Sequence, residues 1–268
     1  MRRFLASLSP WQRSACLTAL VFVVVLPLLG CWYLDTHKQR LPWQQAAAPI
    51  WPLPEDPAAA RKARLINKLL PAIQENNQRL LATRLKLQPL HQQLQAGETL
   101  SQRQLDWLME LAQHQRLEPT DNPDSDWSRV LLRRVDIIPA DLALAQGALE
   151  SAWGESRFAR EGNNYFGHWC FVPGCGLVPQ SRSEGAHHEV ARFSSADESV
   201  RRYMHNLNSH PSYAKLRLIR EAARQRGAPF SGSELAAGLS GYSGLGDDYI
   251  TMLRNLIRQN DFSRFANY

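Results

Sequence analysis

Residues 143–167 read Ala-Leu-Ala-Gln-Gly-Ala-Leu-Glu-Ser-Ala-Trp-Gly-Glu-Ser-Arg-Phe-Ala-Arg-Glu-Gly-Asn-Asn-Tyr-Phe-Gly. The alanine and leucine spacing in the first half predicts a helix from about Pro139 to Trp153. Pro139 suits the first helical position, where an N–H would have no partner. Gly154 suits the stop, where the chain needs a left-handed residue. Leu142, Leu149 and Trp153 would share an apolar face, with Ala145 near it. Glu150 falls in the last turn, with Gln146 and Gly147 one turn earlier on its own side. A carboxylate there meets the negative end of the helix macrodipole, and Leu149 and Trp153 give it apolar neighbours. Both effects disfavour the charged form and raise the pKa, as a general acid working near neutrality requires. An ordinary surface glutamate would fit the same placement, so the surrounding sequence has to decide.

Three blocks stand in order around that residue: Ala-Leu-Glu-Ser-Ala-Trp-Gly at 148–154, Ser-Arg-Phe-Ala at 156–159 and Asn-Asn-Tyr-Phe-Gly at 163–167. Together they resemble the glucosaminidase domain of glycoside hydrolase family 73, over roughly residues 130–260. The resemblance implies a mainly α (α+β), lysozyme-like helical domain with a small antiparallel β-lobe. It also implies hydrolysis of the β-1,4 bond that follows N-acetylglucosamine in the peptidoglycan glycan, with Glu150 in the position of the catalytic acid. The family's second carboxylate lies on the β-lobe, downstream of the Asn-Phe-Gly block. Glu184 and Glu189 are the candidates. Glu184 is preferred, because it falls in the loop leading into a strand and can swing over a cleft. If neither reaches the sugar, its own N-acetyl group can act as nucleophile, as in substrate-assisted glycosidases. Asn164, Tyr165, Phe166 and Trp169 are expected to shape the sugar subsites, although Phe166 also suits simple core packing. Tyr242 and Tyr249 resemble the two tyrosines of the family's C-terminal Tyr-Ala-Thr-Asp-Pro-x-Tyr block. Here the run is Tyr-Ser-Gly-Leu-Gly-Asp-Asp-Tyr, one residue longer, so which tyrosine lines the site stays open.

Cys170 and Cys175 flank the turn-forming run Phe-Val-Pro-Gly. In an oxidising compartment a disulfide closing this loop is expected. A zinc site from His168, Cys170, Cys175, His187 and His188 matches no common ligand spacing. A nucleophilic Cys170 would need the thiol that the disulfide consumes. Neither a metal nor another cofactor is therefore expected.

The chain has 268 residues, 44% of them hydrophobic, and carries 31 Lys and Arg against 25 Asp and Glu, a net charge of +6. That is enough for one domain of middling size with a real core plus an appendage. The mild positive excess suits a polyanionic surface such as cell wall or anionic lipid. No basic run interleaved with aromatics points to nucleic acid.

Residues 1–14 contain Arg2, Arg3 and Arg13 and no acid, and 15–34 are almost wholly apolar. About twenty such residues cross a bilayer as a helix, and the basic leader keeps the N-terminus cytoplasmic. Residues 1–34 thus read as a signal-anchor in the inner membrane, which leaves the rest in the periplasm. A cleaved signal peptide, or a lipoprotein signal at Leu28-Leu29-Gly30-Cys31, are the alternatives. Residues 35–58, punctuated by Pro42, Pro49, Pro52, Pro54 and Pro57, read as an extended linker. A helical region at 59–125 would then precede the glucosaminidase domain at 126–268.

Within 59–125, Leu65, Leu69, Ile73, Leu80, Leu87 and Leu94 form one stripe, which Pro71 and Pro89 threaten to break. Arg61, Lys62, Arg64, Lys68, Arg79, Arg84 and Lys86 lie mostly off it, as a solvated face or one touching lipid headgroups or glycan carboxylates. Ser101 with Gln104 forms a capping box ahead of Leu105, Leu108, Met109 and Ala112. Further helices are expected over Trp127 to Arg134, after the Ser194-Ser195 cap, over Leu216 to Arg226, at 233–239 and over Asp248 to Asn260. A strand is expected near Val190 to Phe193. Two rivals to hydrolysis remain: a lytic transglycosylase using one Glu as acid then base, and a glycan-binding protein without catalysis.

Overall fold

The computed structural model describes residues 52–180, 182 and 185–266. The expected membrane or signal segment at 1–34 and most of the linker fall outside the described residues. Among those described, no helix is long and apolar enough to cross a membrane. Helices dominate, with one small antiparallel sheet, an architecture consistent with a lysozyme-like fold.

Helix α1 runs unbroken from Pro57 to Gln95, capped by Asp56, whose carboxylate accepts the Ala59 N–H at 2.7 Å. The expected breaks at Pro71 and Pro89 do not occur. Both prolines lie on the exposed side. There the carbonyl that loses its donor can bond water, and the ring has room to bend the helix away. The other face of α1 is anchored at two places. Leu65, Leu69 and Ile73 enter the main core. Leu87 and Leu90 enter a second cluster with Leu108 and Ala112 of α2 (Gln102–His114) and Leu131 and Leu132 of α3 (Ser125–Arg134). Leu69 and Ile73 are wholly buried, and truncating either to alanine costs about 2–5 kcal/mol. Arg84 departs from the basic face and turns inward to the Leu132 and Val135 carbonyls.

Helix α4 (Ala140–Glu150) is buried on all sides along most of its length, so it behaves as the central rod of the domain. Two features fix its start. The Asn77 side chain on α1 donates to the Ile138 carbonyl at 2.8 Å and accepts the Ile138 N–H at 3.0 Å. Buried Asp136 meets Arg224 at 2.8 Å, Arg84 at 3.6 Å and Arg220 at 3.8 Å. Burial pushes its carboxyl up, but Arg220, Arg224 and Arg84 together outweigh that and hold it below its usual range. Leaving a buried charge without its partners costs about 3–5 kcal/mol, so this knot sets the register of α4. At Gly147 an added Cβ would lie 2.6 Å from Leu69 Cδ1. A side chain at 147 would therefore force the buried Leu69 of α1 to shift.

The helix ends at Glu150, not at Trp153 as the sequence suggested. Ala152, Trp153 and Gly154 all take positive φ, at 52°, 61° and 83°, which no α-helix accommodates. Left-handed backbone costs a non-glycine residue about 1–2 kcal/mol. It is held here by the Trp153 N–H on the Ala148 carbonyl at 2.8 Å and the Gly154 N–H on Ser151 Oγ at 2.7 Å. Trp153 therefore leaves the helix face predicted for it and packs against Phe262, with Lys62 over its ring.

The short helix α5 (Arg157–Gly162) leads into the β-lobe: β1 (Trp169–Cys170), β2 (Gly176–Leu177) and β3 (Glu189–Ala191), ordered β1-β3-β2. Trp169 pairs with Val190 and Leu177 also with Val190, on opposite edges of β3. The strand expected to reach Phe193 stops at Ala191, because the Phe193 N–H turns away to the Gly162 carbonyl at 2.8 Å. Cys170 and Cys175 form a disulfide with 6.2 Å between their Cα atoms. Then α6 (Ala196–Ser209), capped by Ser195, packs on α1 and brings Tyr203 to α4. Helices α7 (Ala214–Gln225), α8 (Gly232–Leu235) and α9 (Asp247–Gln259) complete the domain, with α9 alongside α4.

Candidate active site

Glu150 is the last residue of α4 and is half-buried. The Tyr249 hydroxyl, at the start of α9, donates to Glu150 Oε1 at 2.8 Å. That tyrosine oxygen accepts from Gln146 Nε2 at 3.0 Å, and Gln146 Oε1 accepts from the Tyr203 hydroxyl at 2.7 Å. The relay has a single direction: Tyr203 to Gln146, Gln146 to Tyr249, Tyr249 to Glu150. Every member is a donor in turn, so the chain fixes which carboxyl oxygen is occupied. Oε2 faces Gly167, where an added Cβ would lie 3.6 Å away. The φ of Gly167 is +68°, so a side chain is disfavoured there by conformation, while its Cβ would only touch the carboxyl.

Burial pushes the Glu150 carboxyl above its ordinary value, while the Tyr249 hydrogen bond pulls the other way without cancelling it. Tyr249 is itself driven up by burial and then by the Glu150 charge, so it stays a donor across the working pH range. No ion pair reaches Glu150 among the described residues. The site thus keeps one carboxyl oxygen held and, among the described residues, the other without a hydrogen-bond partner, with protonation easier than for an exposed carboxyl.

Aromatic rings brace this arrangement. Tyr242 stacks on Tyr249 at 5.5 Å and donates to the Phe166 carbonyl at 3.0 Å. Phe166 stacks on Tyr203 at 4.0 Å. Tyr213 tilts against Tyr242 at 5.8 Å, its phenol raised by burial, with Glu150 adding to the shift. Of the two tyrosines left open by the shifted spacing, Tyr249 contacts the carboxyl directly and Tyr242 packs on Tyr249.

The residues expected to meet sugar divide. Asn164 is buried, donating to the His168 and Ala191 carbonyls at 2.9 and 2.8 Å and accepting the His168 N–H at 3.1 Å. Its amide is consumed inside the fold, so it positions the 164–168 turn instead of touching a ligand. Phe166 and Tyr165 likewise belong to the main core, where burial of the Tyr165 phenol raises its pKa. Trp169 is different: 57% exposed, its ring is stacked on His188 at 3.9 Å. An open aromatic face of that kind can take a pyranose ring.

Glu184 lies outside the described residues. Glu189 has no free oxygen, because its carboxylate accepts the Gly174 N–H at 2.9 Å and the Gly176 N–H at 2.7 Å. Those backbone donors hold its pKa below the usual carboxylate range, and it acts as the clamp of the disulfide loop. Among the described residues, Cys170, Cys175 and Glu189 are the group with metal-ligating atoms close together. The disulfide takes both sulfurs and the loop takes the carboxylate, so these residues do not fit a metal. The sequence reading did not assign Tyr203 and Tyr213 to the site. Tyr203 falls on the inward face of its helix, and only tertiary packing distinguishes it from ordinary core.

A model of the glucosaminidase family, described as mannosyl-glycoprotein endo-beta-N-acetylglucosaminidase, matches residues 127–262, just over half of the chain. The chain belongs to the glucosaminidase family. Protein bax of Escherichia coli (strain K12) is 31% identical over 200 residues, covering 75% of this chain and 70% of that protein. No solved structure matches. Membership of the glucosaminidase family supports a glycosidase role connected with peptidoglycan.

Proposed function

We propose that the protein hydrolyses β-1,4 bonds of the peptidoglycan glycan after N-acetylglucosamine, with Glu150 as general acid. The observation that carries this is a carboxyl of raised pKa, tethered through Oε1, whose Oε2, beside Gly167, has no hydrogen-bond partner among the described residues. Protonating the glycosidic oxygen as the bond breaks needs such a group. The conjugate base left behind is stabilised by the Tyr249 O–H, which strengthens as charge develops. A positioned acid of this kind contributes about 10²–10⁴-fold in rate.

With Glu189 engaged, Glu184 stays the proposed second carboxylate. It would act as base toward water, or the sugar's N-acetyl group would supply the nucleophile itself. Trp169 is proposed to stack on a sugar. Residues 1–34 are proposed to anchor the protein in the inner membrane with the catalytic part facing the periplasm.

Mass spectrometry of muropeptides released from sacculi tests the reaction. Hydrolysis adds water and leaves a reducing N-acetylglucosamine end. Products lighter by one water, carrying an anhydro sugar, would instead establish a lytic transglycosylase. Binding to sacculi with no release would leave a glycan-binding protein.

A further inference from the structure

Between the β-lobe and α6 lies a cavity of about 510 Å³. Trp169 forms part of its wall, two residues along the chain from Gly167, which adjoins the Glu150 carboxyl. Arg192, Arg201 and Arg202 line it together with His168 and Glu198. The charges there do not balance. Glu198 is held by Ser194, accepting its N–H at 2.8 Å and its hydroxyl at 2.7 Å, and Arg201 stands 4.0 Å from it. Neither Arg192 nor Arg202 has a carboxylate or carbonyl partner among the described residues. Burial, with the Arg202 charge second, lowers the His168 pKa to about 4, so the ring stays neutral and the guanidinium groups set the sign of the wall.

An unpaired guanidinium presents a planar fork of donors that matches a carboxylate. The sugars of the glycan carry no free carboxylate where the lactyl group is amide-linked to its peptide. Negative charge on such a substrate therefore sits in the peptide, carried by the N-acetylmuramic acid that the cleaved bond joins to N-acetylglucosamine. We propose that this cavity receives a carboxylate of the glycan's acidic peptide, gripped by Arg192 and Arg202 beside Trp169. The inference rests on the peptidoglycan reading above, and adds that the protein selects peptide-bearing strands over bare ones.

The test uses the full-length Glu150→Gln protein in detergent, so that binding is read without turnover. Isothermal titration calorimetry compares two ligands: an N-acetylglucosamine–N-acetylmuramic acid disaccharide bearing its acidic tetrapeptide, and the same compound with the peptide carboxylates amidated. The free acid is expected to bind about fivefold more tightly, the upper worth of an ion pair made by exposed guanidinium groups. In the Arg192→Gln/Arg202→Gln double variant the two ligands should bind alike. Equal affinity in the parent, or a preference that survives in the double variant, overturns the proposal. The comparison within one protein does not depend on the variant folding. A chain that shows the preference yet never cleaves sacculi would refute the hydrolase reading and leave this inference standing.

Discussion

Replacing Tyr249 by phenylalanine removes one oxygen and disturbs two hydrogen bonds: its 2.8 Å donation to Glu150 and the 3.0 Å bond it accepts from Gln146. Gln146 is wholly buried, so its amide N–H would be left without a partner. An orphaned buried donor costs about 1–3 kcal/mol. For a domain of this size that lowers the melting temperature by about 2–4 °C per kcal/mol. The second effect falls on Glu150. Burial already raises its pKa, and Tyr249 is the opposing influence. Without the hydroxyl, the folded-state pKa moves further up. A general acid works while protonated, so the alkaline limb of kcat/KM should move to higher pH even as the protein becomes less stable. Differential scanning fluorimetry and a pH–rate profile on purified sacculi measure both. An alkaline limb that moves to lower pH, or stays in place while stability falls, would refute the reasoning that Tyr249 stabilises the Glu150 carboxylate.

Gly167→Ala should lower kcat more than it raises KM, because the new methyl lies near Glu150 Oε2 at a position of positive φ. Its strain of about 1–2 kcal/mol should also show in a urea titration. Glu189→Gln should loosen the disulfide loop, read as faster proteolysis between 170 and 189 with the core intact. In the parent the same loop should loosen on acidification. The Glu189 pKa is depressed in the folded state, so its stabilising contribution is complete above about pH 4.5 and is lost as pH falls through the folded value. Hydrogen exchange at the Gly174 and Gly176 amides follows this directly. Protection unchanged down to pH 3 would count against the clamp.

Much of the architecture was legible in short-range sequence. The capping box at Ser101 and Gln104, the Ser195 cap and the glycine after α7 are local signals, and local hydrogen bonds decide them. Glu150 and its neighbour Gln146 were legible because one helical turn puts them on the same side. What escaped depended on distant partners. Pro71 and Pro89 failed to break α1 because packing at both ends holds the helix across them. The end of α4 moved from Trp153 to Glu150 because Ser151 and the Ala148 carbonyl stabilise a left-handed turn that propensity alone disfavours. Asn164, Tyr165 and Phe166 read as sugar-facing by position in a motif. Their burial shows that a motif records residues that shape a site as well as those that touch the ligand. Tyr203 stands 57 residues from Gln146 in sequence, and nothing local ties them together.

Glu150→Gln tests the central claim most directly. The amide keeps the side chain's shape and still accepts from Tyr249, but has no acid proton to give. Release of soluble muropeptides from sacculi should fall by about 10²–10⁴-fold. Melting should be unchanged or raised above neutral pH, because a carboxyl with an elevated folded pKa loses stability on ionising and the amide does not. A correctly folded Glu150→Gln protein that digests sacculi at the parent's rate would contradict the account.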